Sequence, residues 1–149
     1  MSLQNCLADH LQTLQTLETL LIDENALLLR AFEPQELAQI TLRKYQILEQ
    51  IEQLEQQRVA LLQDRQLDTQ AQGLRLAAEQ DQLQDELEQM FELSDRVRSL
   101  SENNGILVDA FLADNQQALD ALAAFSGRTH FYDASGKSQS SSSTLSLKA

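Results

Sequence analysis

The chain has little of what usually carries catalysis or cross-linking. Its 149 residues hold one cysteine, one proline, four glycines and no tryptophan, and only 5% are aromatic. A single thiol, Cys6, closes no intramolecular disulfide; with no basic or apolar leader after Met1, that fits a reducing, cytoplasmic setting. No run approaches the roughly 18 apolar residues of a membrane span, so direct membrane insertion is not expected. Cations are also scarce. Lys and Arg number 11 against 23 Asp and Glu, a formal charge of −12. The stretch 126–149 holds Arg128, Lys137 and Lys148 against Asp133, which leaves 8 cations and 22 anions in residues 1–125. Such a body repels phosphate, which excludes nucleic acid and anionic lipid as natural partners.

Site chemistry is missing too. There is no glycine-rich phosphate loop, no His-Glu-x-x-His and no Glu-x-x-His. His10 and His130 stand alone at opposite ends, the Asp68 region lacks the alternate ligands of a calcium loop, and Cys6 has no activating neighbour, so it reads as a small core residue. No cofactor, no metal and no enzymatic activity are expected.

What the chain does have is leucine and glutamine at helical spacing. Leu7, Leu11, Leu14, Leu17, Leu21 and Leu28 define a first helix starting near Leu3, with Ser2 or Asn5 as its cap. Phe32-Glu33-Pro34 ends it, because proline displaces the preceding residue from helical geometry and suits the first turn of the next helix. Leu37, Ile40, Ile47, Ile51, Leu54 and Leu61 carry a second helix to about Gln66, antiparallel to the first. Asp68-Thr69 offers a turn, and a third helix is clear from Leu74, through Leu76, Leu83, Leu87, Met90 and Val97. Asn103-Asn104-Gly105 is a local breaker, yet the apolar spacing runs through it to Phe111, Ala118, Leu122 and Phe125. The third helix either continues there with a kink or gives way to a fourth; the spacing favours one long bent helix. The expected fold is all-α: an elongated antiparallel up-and-down bundle of three long helices over residues 1–126. A flexible, polar, serine-rich tail over 127–149 follows.

Two features of this pattern point to function. Lys44 and Arg58 stand where the second stripe asks for leucine. Folding the first two helices about residues 33 and 34 sets Lys44 beside Asp23 and Glu24, and Arg58 beside Asp9 and His10. Pairs Glu24–Lys44 and Asp9–Arg58 would then act as register pins, a known use of polar seam residues. Later in the chain, apolar residues cover two adjacent helix faces. Leu107, Phe111, Ala118 and Leu122 lie on one; Val108, Leu112, Leu119 and Ala123 on the next. An arc that wide is either bundle core or half core and half binding surface.

Taken together, Glu24-x-x-Leu27, Leu37-x-x-Ile40-x-x-x-Lys44-x-x-x-Leu48-x-x-Ile51-x-x-Leu54-x-x-x-Arg58-x-x-Leu61-Leu62, Asn104-Gly105-x-Leu107, Asn115-Gln116-x-x-Leu119-x-x-Leu122 and Tyr132-Asp133-x-x-Gly136 resemble the pattern of the FlgN family of flagellar export chaperones. The resemblance implies a non-enzymatic chaperone of flagellar type III export. Its clients would be hook-associated proteins of the FlgK and FlgL kind, held by their C-terminal segments. It further implies client binding by Leu107, Val108, Phe111, Leu112, Leu119, Leu122 and Phe125, and docking on the export gate through Tyr132. The serine-rich end after Gly136 has no counterpart in the pattern. A competing class is a helical adaptor or scaffold that uses the same stripes for self-association, and a homodimer is a further arrangement they allow.

Overall fold

The computed structural model describes residues 2–125. Tyr132, His130 and the serine-rich stretch 127–149 lie outside the described residues. Among those described, all regular structure is helical: α1 (Leu3–Leu28), α2 (Pro34–Asp64), α3 (Ala71–Asp81) and α4 (Gln84–Phe125). The chain divides into two compact units, residues 1–105 and residues 106–149.

In the first unit α1 is the central element. The Ser2 hydroxyl caps its start by accepting from the Asn5 N–H at 3.1 Å. Its leucines are buried over a wide arc: Leu3, Leu7, Leu14, Leu17, Leu20 and Leu21 belong to one core cluster, and Leu27 is buried as well. A helix apolar over such an arc must be covered on more than one side. On one side lies α2, antiparallel to it. On the other lies α4, parallel to it, since Glu18 pairs with Arg96 and Glu24 with Asn104 in ascending order on both helices. The first unit is therefore an up-down-up arrangement whose third limb is made of α3 and the first half of α4.

The turn between α1 and α2 is built as the sequence predicts. Pro34 occupies the first turn of α2, and the Glu36 carboxylate accepts from the Glu33 N–H at 2.9 Å. Arg30 bonds the same Glu36 and holds its carboxyl below the ordinary value. The stripe of α2 is less completely covered than that of α1. Only Ile47 and Leu62 are fully buried, while Ile40, Ile51 and Leu54 remain half-exposed.

The third limb is broken, but not at Asn104. α4 is continuous through Asn103-Asn104-Gly105, and the break lies at Gln82, whose φ of 59° is left-handed. The Leu83 N–H then reaches back to the Ala78 carbonyl at 2.7 Å, closing α3, and Leu83 is buried. The same device ends α2, where Gln66 has φ 58° and the Leu67 N–H bonds the Leu62 carbonyl at 2.9 Å. Both caps use glutamine, where glycine is the usual signal. Gly73, by contrast, lies inside α3 and is buried. A Cβ there would overlap the Asp68 carbonyl, so this glycine lets the chain between α2 and α3 pack directly on helix backbone.

Candidate functional site

The residues singled out in the sequence fall mainly in two places: a buried polar node in the first unit and an exposed apolar stretch of α4 in the second.

The node centres on Glu24, a carboxylate with only 2% of its side chain exposed. Lys44 of α2 donates to both of its oxygens, at 3.0 and 2.8 Å. Asn104 of α4 donates to the same carboxylate at 2.8 Å and to the Leu21 carbonyl at 2.9 Å. The Asn104 side-chain carbonyl in turn accepts from the Asn25 amide at 3.1 Å. One buried anion thus has donors from two other helices. This is the condition under which burying a charge is tolerated. Lys44 stands opposite Glu24, as the hairpin arithmetic places it.

Arg58 is different, and the expected Asp9–Arg58 pair needs correction. Arg58 makes its ion pair with Glu55 on its own helix, at 2.7 Å, and donates to the Thr69 carbonyl at 2.8 Å. It therefore pins the chain that leads from α2 to α3 rather than the hairpin. Neighbouring residues on a helix point about 100° apart. The inward one is His10, 5% exposed, whereas Asp9 faces outward. Asp9 lines an open polar groove of about 390 Å³ with Gln12, Thr16, Gln50 and Gln53.

Cys6 and His10, on the inward side of α1, are both buried. Burial pushes the Cys6 thiol above its ordinary value and the His10 imidazole below its own; nearby Arg58 favours the thiolate and disfavours the imidazolium. His10 Nε2 is buried with no hydrogen-bond partner. Among the described residues no group of three or more His, Cys, Asp or Glu is arranged to hold a metal ion. No described helix is long and apolar enough to cross a membrane.

In the second unit α4 continues from Ile106 to Phe125. Of the residues expected to bind a client, Leu112, Leu119 and Leu122 are 58–64% exposed and Phe125 is 89% exposed. Phe111 is exposed to a lesser degree, and Leu107 and Val108 are half-buried. Ile106, at 66%, is exposed too, but at about 100° per residue it lies between Asp120 and Asp114, away from the two apolar faces. The stretch carries Asp109, Asp114 and Asp120 and no Lys or Arg. Gln116 donates to Asp120 at 3.0 Å, one turn apart on the polar side.

Sequence reasoning missed Asn104 as a member of the polar node. It reads as a helix breaker because its side chain usually competes for its own backbone. Here that side chain is committed to α1.

The described residues form an all-α fold whose last helix exposes apolar side chains, an arrangement suited to binding through a surface. The family model for FlgN protein matches residues 1–140 of the chain, and the chain belongs to the FlgN family. FlgN proteins are chaperones of flagellar export. No curated protein and no solved structure matches the chain.

Proposed function

We propose that residues 106–125 hold the C-terminal amphipathic segment of hook–filament junction proteins of the FlgK and FlgL kind. In this reading the chain keeps that segment from assembling early and brings it, on the cytoplasmic side, to the export gate. The observation that carries the reading is the exposed two-faced apolar surface of α4. Its five exposed large residues amount to roughly three whole side chains of exposed apolar surface, worth on the order of 5–9 kcal/mol when fully covered. Ordering an unfolded client segment costs about 2–5 kcal/mol, and association costs more. The balance suits a complex tight enough to escort a client and weak enough to release it.

Such a client is apolar along one helical face and would polymerise through it. Laying that face on α4 is helix-in-groove recognition coupled to folding. The three aspartates of the stretch, with no cation among them, favour clients whose apolar stripe is flanked by Lys or Arg. Tyr132, outside the described residues, is the proposed contact with the gate.

Calorimetric titration with C-terminal peptides of hook-associated proteins tests this. Binding should bring a gain in helical signal, and Phe111→Ala with Leu119→Ala should weaken it on the order of 10–100-fold while melting is unchanged. If melting and helical content collapse together with binding, those residues are core and the site lies elsewhere. Concentration-dependent oligomers with no peptide binding would instead support a self-associating scaffold or homodimer.

A further inference from the structure

The seam between α1 and α4 is repetitive. The Glu24–Asn104 bond sets the two parallel helices 80 residues apart in number. At that offset Leu3 is level with Leu83, His10 with Met90, Leu17 with Val97 and Glu24 with Asn104. All eight are buried. Both series step by seven residues, the repeat of a coiled-coil seam. Leu83, Met90 and Val97 are flexible or similar in size, so apolar packing alone distinguishes poorly between this pairing and one shifted by a heptad. The α4 series contains one polar member, Asn104, and it faces one of the two polar members of the α1 series, His10 and Glu24. Moving α4 by seven residues, about 10 Å along its axis, would set Val97 level with Glu24. The carboxylate would lose its donor from α4, and the Leu21 carbonyl and Asn25 amide would lose their partner as well. That shifted pairing leaves the Glu24 carboxylate with Lys44 alone and also parts Arg96 from Glu18, an exposed pair of smaller weight.

Asn104 is also the last buried residue of α4 among those described. The residues after it are exposed or half-buried. The position that breaks the heptad degeneracy is therefore the position at which the buried part of the helix ends.

We infer that Asn104 is the positioning residue of the client-binding helix: held on Glu24, Leu21 and Asn25, its amide selects one heptad register of α4 on α1 and so sets Ile106 as the start of the client-binding stretch. This rests on the reading of residues 106–125 as the client-binding face. It differs from a stabilising role, because a buried polar group of this kind selects a register without adding to stability.

The test uses the full chain carrying Cys6→Ala, with spin labels at Gln15→Cys and Asp95→Cys, exposed positions on α1 and α4 that share the 80-residue offset. The parent should give one narrow distance. Asn104→Leu should add a second population displaced by about 10 Å and weaken the affinity for a hook-associated C-terminal peptide about 10-fold or more. The fully apolar node, Glu24→Leu with Lys44→Met and Asn104→Leu, should melt no lower than the parent and show the same two distances and the same weakened binding. A merely structural Asn104 predicts instead that restoring stability restores binding. A single unshifted distance in both variants, or a second register with parent-like affinity, overturns the inference. Should the parent itself bind no such peptide, the proposed function fails, while the distance distributions still decide whether Asn104 sets the register.

Discussion

Lys44→Met isolates the value of the Glu24–Lys44 contact. The substitution keeps most of the unbranched stem and removes the ammonium. Glu24, with 2% of its side chain exposed, then retains only the Asn104 amide. Breaking a buried ion pair from one side costs about 3–5 kcal/mol. Here the Lys44 side chain is 27% exposed, so water reaches the vacated place and the expected cost is about 2–4 kcal/mol. For a helical body of this length that is roughly 10–15 °C in melting temperature. Lys44→Ala should cost about 1 kcal/mol more, because the stem's packing is lost as well. Adding Glu24→Gln to Lys44→Met should recover more than half of the loss, since the orphaned charge is gone and an amide can still accept from Asn104. Thermal and urea unfolding of the four proteins in a double-mutant cycle measures the coupling, expected at about 1.5 kcal/mol or more. If Lys44→Met melts within about 2 °C of the parent, or the coupling falls below about 0.5 kcal/mol, the node is not a buried ion pair and the register argument loses its base.

Other consequences are local. Gly73→Ala would drive a methyl group into the Asp68 carbonyl, which belongs to backbone and cannot swing aside; it should cost on the order of 2–4 kcal/mol by urea unfolding, and a neutral result would mean that the α2–α3 connection is looser than described. His10, buried with its pKa lowered chiefly by burial, stabilises the fold while neutral. Its contribution is complete above the unfolded value of about 6.5 and is lost as pH falls through the lower folded one. Between the two the slope approaches about 1.4 kcal/mol per pH unit, so melting curves of the parent and His10→Leu should diverge below about pH 6.5; parallel curves would exclude a buried neutral imidazole.

The sequence by itself determined the all-α fold, the first two helices and their antiparallel pairing. Leucine spacing, the Phe32-Glu33-Pro34 turn and the charge of a binding body are local or additive properties, and the Lys44–Glu24 match follows from folding a hairpin at a known residue. The apolar arc from Leu107 to Phe125 was visible as well, and its resemblance to the FlgN pattern extends over most of the chain. Tertiary structure alone decided the rest. Exposure of Leu112, Leu119 and Leu122 depends on which neighbours are present, and periodicity does not report that. The break in the third limb fell at Gln82, because a glutamine can take a left-handed cap when Leu83 gains burial behind it. Asn103-Asn104-Gly105, the strongest breaker signal in the chain, stayed helical because Glu24, Leu21 and Asn25 bond the side chain that would otherwise have turned on its own backbone. Arg58 left Asp9 for Glu55 and Thr69, since a helix turns about 100° between adjacent residues and only His10 faced inward.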